Sequence, residues 1–173
     1  MKNISKEFLA KQEEACKSLY SAYWFAKENK DADIEKCQEV ACKTPGFAYL
    51  FALDIKRADI EKCQEVVCKD SEYSYLFAKY IKGADIKKCQ EAACKSPCYA
   101  YFFAKDIVDS DIEKCQEVAC KDFEYAYFFA KYVKGANIKY CQKTTYKNSY
   151  WAKKFAEDIP GADKKKYLIF SIL

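Results

Sequence analysis

The sequence predicts an all-α fold: a short α-solenoid of tandem 26-residue helix–turn–helix repeats, with twelve short helices and a C-terminal half-unit. Three observations lead there. The chain matches itself at a shift of 26 residues, without gaps across its centre. Apolar residues recur at helical spacing inside each copy. The outermost copies replace apolar residues by polar ones, as end units of a stack must.

The copies follow one another as a single repeat domain, 1–173. Four central copies span 32–57, 58–83, 84–109 and 110–135. A divergent first copy spans 6–31, a divergent last copy spans 136–161, and 162–173 begin a further half-unit. A longer period is also present. Asp54, Tyr80, Asp106, Tyr132 and Asp158 alternate at one repeat position, and copies 58–83 and 110–135 agree at 20 of 26 positions. Duplication of a two-repeat block accounts for this.

The first helix of each copy, helix A, opens at Asp33, Asp59, Asp85, Asp111 or Asn137. These residue types cap helices because the side-chain oxygen accepts an otherwise unpaired backbone N–H. Its far end is placed at Lys43, Lys69, Lys95 and Lys121, suited to the negative end of the helix dipole. Glu39 and Lys43 are spaced as an i,i+4 pair. Ile34, Cys37, Gln38, Val40, Ala41 and Cys42 share one wide arc, wider than a single partner helix needs. The second helix, helix B, follows a turn holding Pro45, Pro97 or Asp70-Ser71. Ala48, Phe51, Ala52 and Ile55 form its core stripe, and Phe25, Phe51, Phe77, Phe103, Phe129 and Phe155 repeat one position. It ends near Gly83, Gly135 or Gly161, where a positive φ is easily placed. Polar cap faces are expected at Lys11 and Glu14, and at Thr144, Thr145, Lys153 and Lys154.

Ten of the eleven cysteines fall on two repeat positions, five apart in helix A. Residues i and i+5 diverge around a helix by about 140°, too far for a disulfide. Equivalent residues of stacked helices stand about 8–10 Å apart, also too far. No CxxC motif and no histidine is present, so no metal or other cofactor is expected. The thiols are expected to be small, reduced core residues, which favours a reducing compartment such as the cytoplasm. Cys98 stands outside the pattern beside Pro97 and is the candidate reactive thiol.

Tyr73–Ile86 and Tyr125–Ile138 read YAYxFAKxIxGADI with few departures. The stretch Phe155-Ala156-Glu157-Asp158-Ile159-Pro160-Gly161-Ala162-Asp163 is similar to units of the form YAxxFAxxIPGADIxxLQ. On these residues the chain resembles a little-characterised group of bacterial and phage repeat proteins. The resemblance covers almost the whole chain and departs where Cys37 and its equivalents replace leucine. It implies a helical-repeat fold and no defined activity.

Composition narrows the function. Thirty basic residues against 26 acidic ones leave a net charge of +4, a small excess for a nucleic-acid binder. Charges recur too often for a transmembrane helix, so no membrane is expected as a partner. Without histidine, a phosphate-binding glycine loop or an HExxH motif, no catalytic site is expected. A protein-binding scaffold is therefore expected. Its contact row is placed on helix B, away from the core stripe: Trp24, Leu50, Leu76, Phe102 and Phe128. Lys79, Lys105 and Lys131, with Tyr80 and Tyr132, frame that row and favour an acidic protein partner. A narrower form is an inhibitor of phage or pathogen type that sheathes another protein. Self-association through the apolar C-terminal segment is a further expectation. The alternative is a nucleic-acid binder using interleaved lysine and aromatic ladders, including Lys36, Lys62, Lys88 and Lys114. Glu39, Glu65, Glu91 and Glu117 share that polar arc and oppose phosphate.

Overall fold

The computed structural model describes residues 5–164. The apolar C-terminal segment and most of the final half-unit lie outside the described residues. The described chain is all-α and divides into two compact units, Met1–Asp85 and Ile86–Leu173. The first unit holds α1 (Lys6–Ala15), α2 (Leu19–Glu28), α3 (Ile34–Ala41), α4 (Pro45–Asp54), α5 (Ile60–Val67) and α6 (Ser71–Tyr80). The second holds α7 (Ile86–Ala93), α8 (Pro97–Asp106), α9 (Ile112–Ala119), α10 (Phe123–Tyr132), α11 (Ile138–Thr145) and α12 (Ser149–Asp158). Odd-numbered helices are the A helices and even-numbered ones the B helices of successive repeats.

The helix boundaries follow from local chemistry. Asp33, Asp59, Asp111 and Asn137 each cap an A helix by accepting the backbone N–H three residues on. Pro45 and Pro97 are not in the preceding turn but at the first position of α4 and α8. There the missing N–H costs nothing, because first-turn donors have no partner within the helix. Gly83, Gly135 and Gly161 take φ values of 89°, 88° and 85°, turning the chain from each B helix toward the next repeat.

The A helices stop earlier than the lysines suggest. α3 ends at Ala41 with Cys42 as its C-cap, so Lys43 lies beyond the helix and the Glu39–Lys43 pairing does not form. Lysines pair instead with the preceding repeat. Lys36 meets Glu13 at 3.8 Å, Lys62 meets Glu35 at 3.0 Å, and Lys114 meets Glu91 at 3.5 Å.

In each unit the most extensive packing joins a B helix to the A helix that follows it: α2 to α3, α4 to α5, α8 to α9 and α10 to α11. Phe51, Phe77, Phe103, Phe129 and Phe155 are fully buried, while Phe25 of the first repeat is only half-buried against Phe8. Ala48, Ala100, Ala126 and Ala152 are also fully buried, and their small side chains let helices approach closely. Lys11 and Glu14 are exposed as a cap face requires. Thr145 is not: it is fully buried, and its hydroxyl donates back to Cys141 O and Gln142 O. Thr144 donates to Cys120 O of the preceding repeat at 2.7 Å, so neither hydroxyl is turned to a polar surface.

Candidate protein-binding face

The contact row expected on helix B divides by exposure. Trp24 and Leu50 in the first unit are 36% and 37% exposed. Leu76, Phe102 and Phe128 are half-buried. Phe128 sinks between neighbouring B helices, 5.9 Å from Tyr101 on α8 and 6.0 Å from Trp151 on α12. Phe102 stacks obliquely on Tyr101 at 5.1 Å. One turn on, Leu53, Tyr80 and Tyr132 stand out at 47%, 55% and 53%. The i, i+3, i+4 spacing puts both sets on one side of their helices.

The lysines of this face are not all directed outward. Lys131 bonds Asp158 at 2.7 Å and the Tyr127 hydroxyl at 2.7 Å. Lys79 donates to the Tyr75 hydroxyl at 2.7 Å and lies over the Tyr80 ring. Lys105 sits over the Tyr101 ring at 5.7 Å and has no carboxylate partner among the described residues. Each ammonium is held near aromatic faces, whose electron density attracts it.

The tyrosine just before the contact row explains the Asp/Tyr alternation. Tyr23, Tyr75, Tyr101 and Tyr127 are buried. Tyr23 donates its hydroxyl proton to Asp54 of the next repeat, and Lys27 closes the group with bonds of 2.7 Å to Asp54 and 3.0 Å to the Tyr23 oxygen. Tyr127, Lys131 and Asp158 repeat that arrangement in the second unit. At the Tyr49 and Tyr101 junctions the carboxylate position is taken by Tyr80 and Tyr132, whose rings remain exposed. The two-repeat period therefore alternates a polar junction with an aromatic one.

The bonds from Lys27 and Tyr23 hold the Asp54 carboxyl below its ordinary range. A depressed carboxyl contributes stability above its unfolded value of about 3.9 and loses it as pH falls through the folded value. Asp54→Asn is accordingly expected to flatten the acid side of the stability profile below about pH 5. Urea midpoints measured from pH 2 to 7 for both proteins check this, and parallel profiles would show that the junction carries no such linkage.

A polar ladder that sequence reasoning assigned no role runs behind this face. Gln12, Gln38, Gln64, Gln90, Gln116 and Gln142 are all buried. Gln38 donates to Asp59 O at 2.8 Å and accepts from Asp59 N–H at 2.9 Å. Gln64 engages Asp85, Gln90 engages Asp111, Gln116 engages Asn137 and Gln142 engages Asp163 in the same two-bond manner. Each amide thus supplies the acceptor that the N–H of the opening residue of the next A helix lacks in the main chain, and adds a second donor to its C=O, which at Asp59, Asp111 and Asn137 already accepts the first bond of the helix. Its signal was available: glutamine is the one polar residue of the A-helix arc, and it recurs in every copy.

No family model, curated protein or solved structure matches this chain. Among the described residues no helix is long and apolar enough to cross a membrane. No group of three or more metal-ligating side chains is assembled among them either.

Proposed function

We propose that the chain is a non-catalytic scaffold that binds another protein through the exposed side of its B helices. The observation that carries this reading is the clustering of large apolar side chains at exposed positions there: Trp24, Leu50, Leu53 and Tyr80 in one unit, Tyr132 in the other. Scattered exposed hydrophobics need no explanation, but repeats of the same helix face do. Half-buried Phe102 and Phe128 support the face from beneath as rigid aromatic anchors. Lys105 favours an acidic partner. The compartment that suits the abundant thiols is a reducing one, such as the cytoplasm, and an inhibitor that sheathes its target is the narrower form of this reading.

Nucleic acid is the competing partner. The lysines best placed to meet phosphate on the A helices, Lys36, Lys62 and Lys114, are paired with glutamates of the preceding repeat. Those carboxylates would have to be displaced or would repel the backbone.

The test is affinity capture from the native cell with wild-type protein and with Leu50→Glu/Tyr80→Glu, followed by titration of the captured partner. Loss of binding by the variant, with unchanged helicity, is the expected result. Lys105→Glu is expected to slow association with an acidic partner and to weaken its salt dependence. Equal capture by wild type and variant would remove this face from consideration. Tight retention of DNA or RNA, falling steeply with salt, would favour the nucleic-acid reading.

A further inference from the structure

Cysteines within one helix, and equivalent cysteines of neighbouring helices, are spaced too widely for disulfides. The structure brings together a third combination. Neighbouring A helices are staggered, so the C-cap of one lies beside the first turn of the next. Cys16 and Cys37 sulfurs are 3.9 Å apart, Cys42 and Cys63 3.8 Å, Cys94 and Cys115 3.5 Å, and Cys120 and Cys141 3.3 Å. All eight thiols are reduced in the structure.

We propose that these four pairs are redox cross-linking sites, each able to close a disulfide between one repeat and the next. The register of the sequence supports pairing over mere core filling. The first-turn position is cysteine in repeats two to six and Lys11 in the first; the C-cap position is cysteine in repeats one to five and Tyr146 in the last. Every cysteine on these two positions thus has another 21 residues away, and where Tyr146 replaces one, the residue 21 further on, Tyr167, is not cysteine either. A small apolar filler would not need to be matched in this way. Tyr146 instead reaches over to donate to Asp163 O at 2.9 Å.

The chemistry is a two-electron oxidation. A thiolate of the pair attacks an oxidant; with hydrogen peroxide the O–O bond breaks, and with one proton taken up the products are a sulfenic acid and one water. The second thiol then attacks that sulfur, forming the S–S bond and releasing a second water. The sulfurs must close to about 2.05 Å. The C-cap cysteine stands at a helix end, where backbone adjustment is easiest. Amides of Gln38, Gln90 and Gln116 donate to Cys63, Cys115 and Cys141 at 3.3, 3.2 and 3.2 Å, steadying charge on the first-turn sulfur. Burial pushes the Cys37 thiol up to about 12, which makes it a poor nucleophile at neutral pH, whereas the bond from Cys115 holds the Cys94 thiol below its ordinary value. Cys98 is outside this set: it lies in the first turn of α8, half-buried.

The experiment oxidises folded, reduced full-length protein with diamide, whose azo group takes up the two electrons and two protons. Remaining thiols are then alkylated under denaturing conditions and counted by intact mass. Wild type is expected to lose alkylation at the eight cysteines of these four pairs at least, and to gain about 10 °C or more in melting temperature, both reversed by dithiothreitol. Matched removal, Cys42→Ala/Cys63→Ala, should leave the count of free thiols unchanged. Mismatched removal, Cys42→Ala/Cys115→Ala, should add two, at Cys63 and Cys94. Full alkylation of folded wild type after diamide would overturn the proposal, as would extra free thiols in the matched variant. Should a variant fail to fold, the wild-type count and melting shift still decide.

Discussion

Phe103→Ala is expected to destabilise the second unit by about 3–5 kcal/mol, the usual cost of deleting a buried phenylalanine ring. Phe103 is fully buried on α8, within the packing of that helix against α9. Buried Ala100 and Ala104 share its helix, and their short side chains cannot swing in to fill the space. A loss of this size is a large part of the stability of an ordinary domain. The two tryptophans make the effect separable: Trp24 reports on the first unit and Trp151 on the second. Urea unfolding of a Trp24→Phe background, followed through Trp151, should show the shift. Phe102→Ala, one residue away and only half-buried, should move the same curve much less. Comparable losses from both would mean that the outer row is inter-repeat core.

Gln90→Leu is expected to cost about 1–3 kcal/mol, although it makes a buried position more apolar. Leucine is of similar size but leaves the Asp111 N–H without the 2.9 Å bond that the amide supplies, while the Asp111 C=O loses the 2.8 Å bond from Gln90 and keeps the one from Cys115 N–H. The cost is that of one stranded backbone donor. Gln90→Glu gives a different signature. Its carboxylate can still accept from the Asp111 N–H, but it faces the Asp111 carbonyl oxygen. Burial there would raise its folded pKa above the unfolded value of about 4.3. Stability would then be greatest below that value and lost as pH rises through the folded pKa. Chemical denaturation at pH 4 and 7 distinguishes the two variants: the Glu form should be closer to wild type at pH 4. A neutral Gln90→Leu would show that the ladder is dispensable.

The repeat architecture was legible because a 26-residue period, good N-caps and a fixed phenylalanine act locally or along one helix. Asp33, Asp59, Asp111 and Asn137 cap where their residue types indicate, and Phe51, Phe77, Phe103, Phe129 and Phe155 point inward as the helical stripe requires. Periodicity gives the direction in which a side chain leaves its helix. It does not give how far one helix slides along the next. That slide decides that Gln38 meets Asp59, that Cys42 meets Cys63 and that Lys62 meets Glu35, none of which neighbour in sequence. The same slide sets how deep a residue of the contact row lies: Phe128 is half-buried because Tyr101 and Trp151 of the adjacent B helices flank it.

The alternation of Asp and Tyr at the B-helix junctions gives the chain a parity. Lys27 and Tyr23 need an aspartate from the following repeat, and Asp54 supplies it. Excising the single repeat 32–57 would present Tyr80 to them, leaving a buried phenol and an ammonium without their anion. Excising the pair 32–83 would present Asp106 and restore the match. A protein of this kind is thus free to lengthen or shorten by even numbers of repeats, while odd steps break a junction even though every helix survives.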